Sequence, residues 1–334
     1  MSLPIVFLLY ALSGALLVYF SIKCADYVDL LDKKTDLSGA FIGGVILAAV
    51  TSLPELVTSI SSIYVVHNEE LIIGNVLGSN IFNLCIFGAA TALSVKAFSK
   101  AGVGKSHFVT LICTIIADIL MVATLMIDPK YTRIPYININ AASLVILVIY
   151  FISLKYLSGD ETKNEEEENS PLTVKQIVVR FVFTSLGLVG MSIIVTYFTD
   201  MIQEKINLGA SLAGAIFLGV VTSLPELASS VTLVRKHNFN AMVGNVLGSN
   251  MFNFTIFSIA DFIAGNTIIY KYSGESMYMI VFGVLSSLFV IVSLAMQARF
   301  KKLETVSCGK KTMIVILGIA ICASYLASMV IPTL

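Results

Sequence analysis

Charge is what this chain has least of. Of its 334 residues 13% are charged and 57% are hydrophobic, with a mean hydropathy of +0.91. A soluble domain carries roughly 25% charged residues, so most of the chain is expected in lipid. The 21 Lys and Arg balance the 21 Asp and Glu, which leaves no positive excess to attract nucleic acid. Cysteine is sparse: Cys24, Cys85, Cys113, Cys308 and Cys322 are odd in number and match no metal or redox spacing. Within apolar runs such residues act as small packing groups. His67, His107 and His237 lie near expected loops and form no cluster. The first twenty residues are apolar but lack a basic leader segment, and more apolar runs follow, so they are expected to stay as a membrane helix. No cofactor and no obligatory protein partner is implied, and no nucleophile–base pair marks a hydrolase.

Apolar runs of about 20 residues can cross a bilayer as helices. Ten are present, at roughly 3–22, 38–66, 71–95, 106–127, 136–157, 175–198, 208–234, 240–265, 276–297 and 312–331. The expected fold is therefore an all-α membrane protein of ten transmembrane helices. Between the fifth and sixth runs lies a polar, acidic stretch containing Glu165 to Glu168, taken as a solvated linker. It divides the chain into a first five-helix unit (1–157), a linker (158–174) and a second five-helix unit (175–334).

The polar part of the chain occurs twice. Thr51-Ser52-Leu53-Pro54-Glu55-Leu56 returns 171 positions later as Thr222-Ser223-Leu224-Pro225-Glu226-Leu227. A second block, Gly74-Asn75-Val76-Leu77-Gly78-Ser79-Asn80, returns 170 positions later as Gly244-Asn245-Val246-Leu247-Gly248-Ser249-Asn250. The repeated regions are about 38–95 and 208–265, and runs 2, 3, 7 and 8 are expected to be interrupted helices. Seventeen of the 21 Lys and Arg fall in the loops after runs 1, 3, 5, 7 and 9. The positive-inside rule then places those loops and the linker in the cytoplasm of a cell-membrane protein, with both termini outside. The second copy lies five spans after the first, so the two are expected to cross in opposite directions. Inverted repeats of this kind build many secondary transporters, with the site near the midplane.

Each block carries chemistry suited to a cation. Proline lacks an N–H and clashes with the carbonyl four residues back, so Pro54 and Pro225 are expected to loosen their helices beside a Thr, a Ser and a Glu. A bare carboxylate at mid-span costs about 2.5–3.5 kcal/mol on the lenient scale, and no Lys or Arg lies inside these spans to pair with it. The second block adds the hydroxyls of Ser79 and Ser249 and, shortly after, the amides of Asn83 and Asn253. Carboxylate, amide, hydroxyl and carbonyl oxygens suit Ca²⁺ or Na⁺, whereas zinc or copper would call for Cys or His. Asp118 has no counterpart in run 9; a hydrogen-bonded structural role and a place on an ion path both remain open for it. Asp261 lies near a span end and is expected in polar surroundings.

The paired blocks, inverted over ten spans, resemble the alpha-repeats of the sodium/calcium exchanger family, in the form of its compact prokaryotic members. The resemblance covers nearly the whole chain. It implies alternating access around central cation sites, with cytoplasmic Ca²⁺ exchanged for a monovalent cation moving inward. By position it implies Glu55 and Glu226 as central carboxylates, with side-chain oxygens from Thr51, Ser52, Ser79, Asn83, Thr222, Ser223, Ser249 and Asn253. Backbone carbonyls of Ala48 and Gly219 match positions that contribute to sodium sites. Some members carry Asp where this chain has Asn253, so two carboxylates are expected at the centre and not three. Two carboxylates in a poorly hydrated site also favour protons, which makes H⁺/Ca²⁺ exchange the competing reading. A cation channel is a further rival, although filters are usually built around a pore axis.

Overall fold

The computed structural model describes residues 1–34, 47–101, 104–136, 139–157, 171–235, 237–265, 268–300 and 308–333. The described residues are almost wholly helical. In chain order they form α1 (Leu3–Lys34), α2 (Leu47–Thr51), α3 (Leu53–Tyr64), α4 (Glu70–Leu93), α5 (Lys105–Met126) and α6 (Ala141–Leu157). The second half forms α7 (Val174–Ile206), α8 (Ala210–Thr222), α9 (Leu224–Arg235), α10 (Phe239–Ala264), α11 (Gly274–Phe300) and α12 (Cys308–Val330). A two-residue antiparallel ladder, Arg133–Ile134 against Ile139–Asn140, closes the connection between α5 and α6.

Seven of these helices are long and apolar enough to cross a membrane, and the bent pair α8–α9 makes an eighth. Each of the ten apolar runs holds a helix or a helix pair. The start of the second run, up to residue 46, lies outside the described residues, as do positions 158–170 of the linker with Glu165 to Glu168. On the described side the linker ends in a capping box, in which Thr173 accepts from the Gln176 N–H and Gln176 accepts from the Thr173 N–H.

Burial sorts the helices into inner and outer sets. The spanning window of α4 is 89% buried and that of α10 72%, against 28% for α1 and 17% for α7. The outer pair α1 and α7 pack on each other and turn Leu8, Leu12, Leu16, Phe183 and Leu186 outward, as apolar solvent requires. The inner helices carry the repeated blocks.

The expected interruptions hold for two of the four runs. In the second and seventh, the helix stops at Thr51 and Thr222 and restarts at Leu53 and Leu224, with a 45° bend between α8 and α9. The break precedes each proline, so Pro54 and Pro225 sit in a first helical turn, where a missing N–H costs nothing. The third and eighth runs, by contrast, are the continuous helices α4 and α10. Their glycines keep the N–H that proline lacks, so nothing forces an opening, and in α4 they serve instead for close packing. At Gly74 a Cβ would stand 1.8 Å from the Ser211 carbonyl oxygen, and at Gly78 it would stand 2.5 Å from the Ala215 Cα. Facing them, Gly214–Gly219 of α8 is wound as a π-helix.

Candidate cation site

Restarting the helix beyond Ser52 and Ser223 puts a glutamate in the first turn of α3 and of α9. The unpaired N–H groups there carry partial positive charge, which favours a carboxylate. Ser52 stands at the N-cap of α3, where a serine normally accepts from the helix's own N–H groups. It makes no such bond. Its hydroxyl instead donates to Glu226 Oε1 at 3.3 Å, and Ser223 donates to Glu55 Oε1 at 3.0 Å. Thr51 also lies within hydrogen-bonding reach of Glu226, and Thr222 and Ser79 lie within reach of Glu55. Each repeat thus hands a serine hydroxyl to the other repeat's carboxylate, while Ser79 stays with the glutamate of its own repeat.

The second blocks cross in the same manner. Asn83 Nδ2 donates to Asn250 Oδ1 at 3.0 Å, and Asn253 Nδ2 donates to Asn80 Oδ1 at 3.1 Å. Asn250 Nδ2 adds a bond to the Asn80 carbonyl at 3.1 Å. The first two of these bonds each use an amide N–H of Asn83 or Asn253 and leave the amide oxygens free. Ser79 donates to the Gly219 carbonyl at 3.2 Å and lies 3.5 Å from Thr222 Oγ1. Ala48 lies in α2, three residues before Thr51.

Among the described residues, five candidate oxygens are buried with no hydrogen-bond partner: Glu55 Oε2, Glu226 Oε2, Asn83 Oδ1, Asn253 Oδ1 and Ser249 Oγ. Four of the five are acceptors only, and among the described residues no ion pair to a basic side chain reaches either glutamate. A buried carboxylate without a counter-charge is costly. Unpaired carboxylate and amide oxygens gather there among neutral hydroxyls, which is the oxygen set a hard cation takes.

Four things were not visible in the motifs. Asn80 and Asn250 lie inside the repeated block, but only the helix crossing makes each the partner of the other repeat's asparagine. Asn75 ties α4 to α3 through Nδ2, which donates to the Glu55 carbonyl at 3.1 Å and to Thr58 and Ser59 hydroxyls at 3.0 Å. The repeat keeps part of this, as Asn245 donates to Ser229 at 3.0 Å. Asp261 does find polar surroundings, though inside the protein: it accepts at 2.7 Å from both the Asn140 N–H and the Ser143 hydroxyl. His107, expected near a loop, is buried in the first turn of α5 against the Asn240 carbonyl at 2.9 Å.

Known proteins resemble this chain in sequence and in fold. The putative antiporter CaxA of Alkalimonas amylolytica is 26% identical over 302 residues, which is 89% of this chain and 93% of CaxA. The H⁺/Ca²⁺ exchanger CAX has the same fold, with a TM-score of 0.66 over 98% of this chain and 90% of that one at 15% identity. The sodium–calcium exchanger NCX_Mj aligns with a TM-score of 0.56 over 97% of this chain and 99% of its own at 22% identity. The sodium/calcium exchanger protein model matches residues 5–158 and 176–334. With both repeats matched, the chain is an integral membrane protein and belongs to the sodium/calcium exchanger protein family.

Proposed function

We propose that the chain is a secondary active antiporter that exchanges Ca²⁺ for Na⁺ by alternating access. Ten spans in two inverted five-helix units, 1–157 and 175–334, enclose the site near the midplane, with the linker cytoplasmic and both termini outside the cell membrane. Ca²⁺ and the counter-ions are substrates held in turn by Glu55 and Glu226. Thr51, Ser52, Ser79, Asn83, Thr222, Ser223, Ser249 and Asn253, with the Ala48 and Gly219 carbonyls, supply neutral oxygens. No resident cofactor enters this reading.

One observation carries it: two buried glutamates from opposite repeats, each bonded by the other repeat's serine and each left with a free oxygen. Because the bonds are crossed, moving one repeat against the other must disturb both carboxylates together. Bare, the pair is charged and unpaired, and a motion carrying it through a closed, poorly hydrated state is disfavoured. Neutralised by one Ca²⁺ or by two monovalent ions, it can pass. That difference makes transport an exchange and not a leak.

The same two carboxylates could exchange Ca²⁺ for protons, and the fold is shared with both kinds of exchanger. Ca²⁺ uptake into proteoliposomes, driven by an outward Na⁺ gradient or by an outward proton gradient, separates the two. Uptake with Na⁺ alone supports sodium coupling, and uptake with protons alone replaces it by H⁺/Ca²⁺ exchange. Uptake down a Ca²⁺ gradient with neither counter-ion would overturn exchange in favour of a channel.

A further inference from the structure

A third carboxylate lies beside the site, outside both repeated blocks. Asp118, in the middle of α5, is 5% exposed. Among the described residues it has no hydrogen bond and no ion partner. It lines a small cavity of about 10 Å³ with Asn80, Thr114, Asn250, Met279 and Ser287, room for one water or one small ion. Two of those neighbours are also unsatisfied, since Asn80 Nδ2 and the Ser287 hydroxyl are buried without partners. Asn80 and Asn250 are the residues that bond Asn253 and Asn83. The cavity is therefore one residue removed from the candidate ligands.

A structural aspartate inside a membrane protein secures its charge with donors, as Asp261 does with the Asn140 N–H and the Ser143 hydroxyl. Asp118 has no such bonds, and the cost of burying it falls only when a cation or proton arrives. No other titratable group lines the cavity. Of the helices packed on α5, α6 carries Tyr150 and, in its last turn, Lys155 and Tyr156, and α10 carries the engaged Asp261. The charges of α4 and α11 (Glu70, Glu275 and Arg299) sit at the helix ends.

We propose that Asp118 is a third carboxylate of the transport path, neutralised in each cycle by one monovalent cation, Na⁺ or a proton, held in this cavity. Asn80 Nδ2 can donate to one carboxylate oxygen while the other takes the cation with the Ser287 hydroxyl. A proton would come from cavity water to a carboxylate oxygen and return to water on release. The proposal rests on the antiporter reading and extends its charge count. Glu55 and Glu226 balance one Ca²⁺ or two monovalent ions; Asp118 adds a third monovalent ion without a third charge among the central ligands. One Ca²⁺ entering against three monovalent ions leaving carries one net positive charge outward.

That net charge is measurable. Purified protein in proteoliposomes is given a fixed Na⁺ gradient at equal pH, or a fixed pH gradient without Na⁺, and the potential is set with potassium and valinomycin. In the wild type the steady Ca²⁺ gradient should rise about tenfold for each ~60 mV made positive inside. Asp118→Asn should still exchange but with no dependence on potential, and Asp118→Glu should restore it. The gradient under which the mutant loses the dependence identifies the ion. A wild type indifferent to potential overturns the proposal even if no mutant folds, and so does an Asp118→Asn protein with wild-type dependence. Absence of any counter-ion-driven uptake by the wild type would instead refute the antiporter reading itself.

Discussion

Replacing Glu55 by Gln should move stability and binding in opposite directions. The amide keeps an oxygen to accept from Ser223, now 3.0 Å from Oε1, so the crossed bond and the start of α3 survive while the charge is lost. Without Ca²⁺ the wild type bears a buried carboxylate whose second oxygen has no partner, at a cost of about 2.5–3.5 kcal/mol for a mid-span acid. The Gln form escapes that cost and should melt no lower than the wild type in chelator. With Ca²⁺ the sign reverses. Removing one member of a buried, desolvated charge pair costs about 2–5 kcal/mol, which weakens Ca²⁺ binding by roughly 30-fold or more. Ca²⁺ at about 100 times the wild-type Kd stabilises the wild type by about 2.7 kcal/mol. The same concentration should stabilise the mutant by about 0.9 kcal/mol or less, by the same relation. Since the chain has no tryptophan, calorimetry or a thiol-reactive dye is the suitable reporter of unfolding, recorded in chelator and in Ca²⁺. A mutant that melts lower in chelator yet keeps the full Ca²⁺ shift would refute the reasoning, for the carboxylate would then be structural.

The glycines give a test that does not depend on ions. Gly74→Ala places a Cβ 1.8 Å from the Ser211 carbonyl oxygen and must push α4 from α8, whereas at Gly244 the nearest atom is His107 Nε2 at 3.8 Å. Gly74→Ala is expected to cost at least about 1–3 kcal/mol, the range for overpacking, and Gly244→Ala to be near neutral; equal melting temperatures for the two would contradict the close crossing. Ser223→Ala removes a hydrogen bond to a charged group, about 1.5–3 kcal/mol. It should lower Ca²⁺ affinity by roughly 10- to 100-fold with little change in maximal uptake, and Ser52→Ala should do the same at Glu226. If either alanine variant binds Ca²⁺ as the wild type does, the crossed bonds do not organise the site.

Much of this was readable in the linear chain because lipid leaves few choices. A stretch of twenty apolar residues has to satisfy its own backbone, and so it becomes a helix. A carboxylate inside such a stretch has to be neutralised, and so Glu55 and Glu226 stood out at once. Their doubling at an offset of five spans, an odd number, reads as an inverted pair from counting alone. Pro54 and Pro225 marked the breaks for the same local reason, the absence of an N–H.

What the chain order left open were questions of contact. Gly74 and Gly78 resemble helix breakers in a sequence and act as packing surfaces in the fold, because only the approach of α8 shows what their missing side chains make room for. The exchange of serines, Ser52 to Glu226 and Ser223 to Glu55, joins residues more than 160 positions apart and depends on the crossing of the two broken helices. Asn80 and Asn250 are fixed in the same way. Asp118 is the clearest case. Nothing local distinguishes a buried aspartate that is hydrogen-bonded, such as Asp261, from one that is not. The difference lies wholly in which donors the neighbouring helices bring, and that is decided by tertiary packing.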